Sequence, residues 1–217
     1  MTASELGLRE ELVGFAKRVL ASGLVRGTSG NLSTRPPGAD WCLVTPSGVD
    51  YETMRPEDAV RIELEDGRAT GRLKPSVDTP VHLAIYRARP EVGAVVHTHS
   101  PHAAAFSTPG RPIPPLITES AGYLGGEVRI IGYVPPARPD TGEQVAAGLA
   151  GDRAVLLPNH GVVAAGEDLR RAYGAAHQVE ESAHIAFLAL QLGEPHLVPP
   201  EEVERMHEFI HHRYGQR

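Results

Sequence analysis

The sequence predicts one compact domain of the α/β class, spanning residues 1–217. Three observations carry that expectation. Segments with apolar residues recurring at three and four places alternate with short apolar runs of β type. Clusters of Gly, Pro, Asp and Asn punctuate the joints between them. A chain of 217 residues with 41% hydrophobic content suits a single core of ordinary size.

Taken in order, Leu8, Leu12, Phe15, Ala16, Val19 and Leu20 mark an amphipathic first helix that ends near Gly23. Residues 27–33 are rich in glycine, hydroxyls and amide and read as a loop. β-type pieces follow at 41–45 and 60–64, with turns at Pro46-Ser47-Gly48 and Glu65-Asp66-Gly67. Pro80 suits the first position of a helix carrying Val81, Leu83, Ala84, Ile85 and Tyr86, with Asp78 or Thr79 as its N-cap. A strand then runs into His97. Residues 109–115 form a proline-rich loop, 118–123 another loop, 128–134 a strand and 142–149 a short helix. Strands at 154–157 and 161–165 precede one long helix over 169–192, and a proline-rich linker at 195–200 leads to a last helix over 201–212.

Composition excludes several classes of function. No apolar run approaches the length of a membrane span, and the first residues lack the basic and apolar regions of a signal peptide, so a cytoplasmic protein without membrane partners is expected. A net charge of -6 offers no basic face for nucleic acid. The single cysteine, Cys42, lies in an apolar run and reads as core packing.

The chemistry concentrates in a few places. In Ala94-Val95-Val96-His97-Thr98-His99 the two histidines sit two apart, so a strand projects both from one face toward one ion. A second apolar run stops at Pro158-Asn159-His160-Gly161 and supplies a third imidazole. With eleven histidines in the chain, packing alone also accounts for such a pair. The loop Gly27-Thr28-Ser29-Gly30-Asn31 presents unshielded N–H groups, hydroxyls and an amide that suit a phosphate or carboxylate, or equally a turn. Asp78 is the candidate general base or acid, with helix capping as its plainer role. His82, one turn on, orients Asp78 or packs; Tyr214 has a phenolic proton to donate, or is surface packing.

Five motifs in order, Gly27-Thr28-Ser29-Gly30-Asn31-Leu32-Ser33, Thr45-Pro46-Ser47-Gly48, Lys74-Pro75-Ser76-Val77-Asp78, His97-Thr98-His99 and Asn159-His160-Gly161, resemble those of the class II sugar-phosphate aldolases and ribulose-phosphate 4-epimerases. The resemblance implies an α/β/α sandwich around a largely antiparallel sheet, assembled as a homotetramer with sites between neighbours. It implies Zn2+ on His97, His99 and His160, with Co2+ or Mn2+ as substitutes, and a phosphate pocket of Thr28, Gly30, Asn31, Ser47, Gly48 and Ser76. It implies Asp78 as base and Tyr214 as proton donor to the aldehyde oxygen. The reaction so implied is lyase chemistry of carbohydrate metabolism, in which a ketose phosphate is cleaved to dihydroxyacetone phosphate, or a close analogue, and an aldehyde through a metal-stabilised enediolate.

Departures from the aldolase pattern bear on the reaction. Ser76-Val77-Asp78 replaces Ser-Ser-Glu, removing one hydroxyl and one methylene of reach. The Ser-x-Asp-Thr-Pro form is more similar to the 4-epimerases, but the position of their second catalytic aspartate falls on Gly122. The position of the aldolase tyrosine falls on Thr118, with Tyr123 and Glu119 nearby. The ketose-phosphate dehydratase branch tolerates a small apolar residue at Val77 but carries glutamate at Asp78.

Overall fold

The computed structural model describes residues 3–135, 138 and 140–214. Seven strands form one sheet: β1 (Asn31–Thr34), β2 (Trp41–Val44), β3 (Val60–Glu63), β4 (Ala69–Thr70), β5 (Ala94–Thr98), β6 (Ala154–Leu157) and β7 (Gly161–Gly166). Their order is β4-β3-β2-β1-β5-β7-β6, and every neighbouring pair is antiparallel.

Alternation along the central strands divides the core into two layers. Leu32, Val96, Val162 and Ala164 face one side, where they pack with α1 (Ala3–Ala21), α3 (Pro101–Ser107) and α6 (Leu169–Leu192) through Leu12, Ala16, Phe106, Ala172 and Val179. Val95, Val155, Val163 and Ala165 face the other, against α2 (Thr79–Ala88) and α5 (Thr141–Leu149) through Ile85, Val145 and Leu149. The molecule is an α/β/α sandwich on an antiparallel sheet, as the resemblance implies. Cys42 is fully buried in the second layer, where burial pushes its thiol up to about 12. It is core packing, as expected.

Three expectations are corrected. Residues 31–33, read as part of a polar loop, belong instead to the central strand β1, because the side chains of Asn31 and Ser33 find buried polar partners across the layer. Residues 128–134 do not form a strand. They make one bridge from Val128 to Ile113 and a parallel one from Ile130 to Leu156, changing partner within two residues, too soon for a ladder to develop. Residues 118–123 are helical rather than looped, within α4 (Thr118–Leu124). Their small residues let α4 lie close on α7 (Pro200–His212), and a Cβ at Gly122 would meet the Met206 Cβ at 2.5 Å.

Candidate metal centre and active site

β5 carries His97 on the α2 side of the sheet, the side of Val95, and His99 follows just beyond the strand. His160 comes from the turn between β6 and β7, where Asn159 takes the left-handed φ of 55° that amide side chains tolerate. The three Nε2 atoms converge: His97 lies 3.1 Å from His99 and 3.3 Å from His160. Nitrogens held about 2.0–2.1 Å from a tetrahedral ion sit about 3.3 Å apart, so the spacing is that of a coordination edge. Among the described residues this is the one group of three His, Cys, Asp or Glu side chains placed to hold a metal ion.

The protonation of His97 follows from its surroundings. Its Nδ1–H donates to the Val162 carbonyl at 2.9 Å, which leaves the lone pair on Nε2 facing the other two rings. Burial drives its pKa down to about 3, helped by His160 and opposed by Asp78, so the ring is neutral near pH 7. His99 is also lowered, first by desolvation and then by His160. Neutral imidazoles are the form a divalent transition metal requires, and the donor set fits such an ion.

Asp78 stands at the N-terminus of α2, yet its side chain makes no capping bond. Its Oδ2 instead accepts from Asn31 Nδ2 at 2.8 Å and lies 3.9 Å from His97 Nε2. Burial raises its carboxyl, but His97 and the Asn31 amide outweigh that and hold it below the usual 3.8, so it is ionised. Asn31 reaches it because Asn31 and His97 are register partners on adjacent strands, which puts the amide on the face where α2 begins.

A cavity of about 240 Å³ joins these groups, and Thr28, Gly30, Asn31, Ser47, Gly48, Ser76, Asp78, His99 and His160 all line it. All six residues of the expected phosphate pocket therefore share one cavity with Asp78 and two of the three histidines. Gly30 has φ 73°, and a Cβ there would meet the His97 carbonyl oxygen at 2.7 Å, so only glycine lets this loop cross β5 so closely. Val77 is 68% exposed at the rim. A larger cleft of about 540 Å³ opens at the far end of β7, lined by Arg153, Glu167 and His207 among others, and includes none of these groups.

Other candidates lie elsewhere. Tyr214 is exposed and packs against Phe209, ring centroids 5.8 Å apart and tilted by 58°, outside the set of residues that line the cavity. The Tyr123 hydroxyl donates to the Arg171 carbonyl, and Glu119 is exposed. Three buried polar residues, Ser33, His82 and Tyr86, form a hydrogen-bonded series ending at Asn31; of these the sequence offers only His82, as orienting Asp78 or packing, and gives Ser33 and Tyr86 no such role. Their signal was a spacing of two on β1 and of four on α2.

Residues 10–187 match the family described as Class II Aldolase and Adducin N-terminal domain. The chain belongs to that family. It is 39% identical over 206 residues to a 5-methylthioribulose-1-phosphate/5-deoxyribulose-1-phosphate aldolase of Rhodospirillum rubrum, covering 95% of this chain and 92% of that one. It is 34% identical over 209 residues to a 5-deoxy-D-ribulose 1-phosphate aldolase of Bacillus thuringiensis, covering 96% and 97%. A solved L-fuculose 1-phosphate aldolase superposes with a TM-score of 0.90 at 30% identity, covering 97% of each chain. No helix among the described residues is long and apolar enough to cross a membrane. Any side chain at Gly122 would begin in space that Met206 already occupies.

Proposed function

We propose that this chain is a zinc-dependent aldolase that reversibly cleaves a ketose 1-phosphate into dihydroxyacetone phosphate and a short aldehyde. The observation that carries the reading is the convergence of three imidazoles beside an ionised Asp78 at one end of a cavity lined with hydroxyl, amide and backbone donors. The names of the two relatives given above point to a ribulose 1-phosphate whose fifth carbon carries hydrogen or a methylthio group.

His97, His99 and His160 would hold the metal, which when bound polarises the ketose carbonyl and stabilises negative charge on the enediolate. Thr28, Ser47, Ser76 and Asn31, with the N–H groups around Gly30 and Gly48, hold the phosphate and so fix the register of the substrate. In the condensation direction Asp78 takes the proton from C3 of dihydroxyacetone phosphate, and the electron pair left behind forms the new bond to the aldehyde carbon. In cleavage the O4–H proton passes through the phenol of Tyr214 to solvent as the O–H pair forms the aldehyde carbonyl, the C3–C4 pair goes to C3, and Asp78, having taken a proton from solvent, delivers it there. Asn31 keeps the Asp78 carboxylate oriented throughout. Tyr214 is exposed, as a donor acting on a neighbouring copy must be, and a homotetramer with sites between subunits completes the proposal.

One residue favours the 4-epimerase instead: Asp78 in place of glutamate. The packing of Gly122 against Met206 weighs against it, since an epimerase needs a second acid at that position. Assay of the zinc-loaded protein with dihydroxyacetone phosphate and a panel of short aldehydes separates the readings. Loss of both reactants, abolished by chelation and restored by zinc, is expected. No consumption by a protein holding one zinc per chain overturns the aldolase reading, and interconversion of pentulose phosphates without free aldehyde would establish the epimerase.

A further inference from the structure

α2 and β1 contribute alternate rungs to one polar ladder: Asp78, His82 and Tyr86 at a spacing of four on the helix, Asn31 and Ser33 at a spacing of two on the strand. The contacts run Tyr86 Oη to Ser33 Oγ at 2.6 Å, Ser33 Oγ to His82 Nδ1 at 2.6 Å, His82 Nε2 to Asn31 Oδ1 at 2.6 Å, and Asn31 Nδ2 to Asp78 Oδ2 at 2.8 Å. Ser33 and His82 are fully buried and Tyr86 is 1% exposed, so no solvent competes for these groups.

We infer that His82 is a positioning residue: it locks the Asn31 amide with its nitrogen toward Asp78 and the substrate cavity. The direction of every bond follows from the carboxylate at the open end. An ionised Asp78 only accepts, so Asn31 turns Nδ2 toward it and Oδ1 toward His82. His82 must then carry its proton on Nε2, which leaves Nδ1 to accept from the Ser33 hydroxyl, and Ser33 in turn accepts from Tyr86. A flipped Asn31 would set its oxygen against the carboxylate and its NH2 against the Nε2–H, losing both bonds in a buried setting. Held in place, Nδ2 spends one hydrogen on Asp78 and keeps the second for a substrate oxygen in the cavity that Asn31 lines.

Two readouts test this. The first is 15N NMR of the full-length, zinc-loaded protein labelled in histidine. The His82 ring should be the neutral Nε2–H tautomer with Nδ1 an acceptor; an Nδ1–H tautomer overturns the proposal. The second rests on the aldolase reading and compares His82→Gln, which can still offer an N–H to Asn31, with His82→Phe, which fills the space alone. His82→Gln is expected to keep kcat within about threefold, and His82→Phe to lose about tenfold or more at unchanged zinc content. Equal or better activity in the folded Phe variant means that His82 only packs, and overturns the proposal. Should the Phe variant not fold, Ser33→Ala replaces it: loss of the single tautomer is expected, and an unchanged tautomer with unchanged kcat overturns the ladder. The NMR readout needs no turnover, so failure of the aldolase assay leaves it to decide the matter.

Discussion

Asp78 Oδ2 lies 3.9 Å from His97 Nε2, close enough to feel the metal centre but outside the ring of three nitrogens. Its strong contact is to the Asn31 amide at 2.8 Å, in keeping with the proposal that it is a base beside the metal rather than a ligand on it. Asp78→Asn is therefore expected to lower kcat by about 10²–10⁴-fold while zinc stays at one per chain. Metal analysis beside a progress curve checks this. Loss of zinc in parallel with activity would make Asp78 a ligand instead.

Gly122 tests the packing argument against the epimerase reading. An aspartate there starts with a Cβ only 2.5 Å from the Met206 Cβ and 3.0 Å from the Met206 carbonyl carbon, so α4 and α7 must separate. Gly122→Asp should destabilise the protein by about 1–3 kcal/mol, the usual cost of overpacking, with no gain of epimerisation. Urea melts and a pentulose-phosphate assay read both. An unchanged midpoint would show that α7 moves freely, and the packing case against the epimerase would fall with it.

The sequence made the candidate metal site legible because His97 lies on a strand whose apolar run is unmistakable and His99 directly follows its end, so a period of two still decides which way both rings point. β1 was not legible. Asn31 and Ser33 are polar yet buried, and what satisfies them in a strand is α2, nearly fifty places on, which offers hydrogen-bond partners that no local pattern reveals. The same distance hid the role of Asp78. Residue type and position fit a cap, and only the register of Asn31 with His97 shows that the carboxylate turns to the site. Residues 128–134 failed for the opposite reason. Their apolar pattern is local, but Val128 and Ile130 pair with different partners, and pairing is what makes a strand.

Acid stability carries the signature of buried His82. Burial lowers its pKa from 6.5 to about 4, with Asp78 opposing, so between those values the unfolded chain binds a proton that the folded chain refuses. Stability therefore rises with pH across that window, is fully present above about 6.5, and is lost as pH falls toward about 4. The loss for this group is on the order of 3 kcal/mol. The depressed carboxyl of Asp78 acts with the same sign in the next window down, below 3.8. Urea melts of the chelated protein at about pH 7 and about pH 4.5 should show the loss, and His82→Gln should make it shallower, the remainder belonging to His97, His99 and His211, which are lowered from 6.5 in the same direction. Parallel slopes for the two proteins would remove His82 as a cause.

Val77 offers the converse of these buried positions. It is 68% exposed and borders the cavity beside Ser76, so its side chain contributes little to the core and faces the place where a phosphate is proposed to bind. Restoring a hydroxyl by Val77→Ser adds a donor without disturbing a packed contact, and stability should stay within about 0.5 kcal/mol. A new hydrogen bond to an anion contributes about 1.5–3 kcal/mol at best and less at an exposed rim, so KM for the ketose phosphate should fall by about threefold to tenfold at nearly constant kcat. Steady-state kinetics against the phosphorylated ketose give the answer. A lowered KM shared by an unphosphorylated analogue would mean that the hydroxyl meets some other part of the substrate, and the phosphate would then have to be sought along another wall of the cavity.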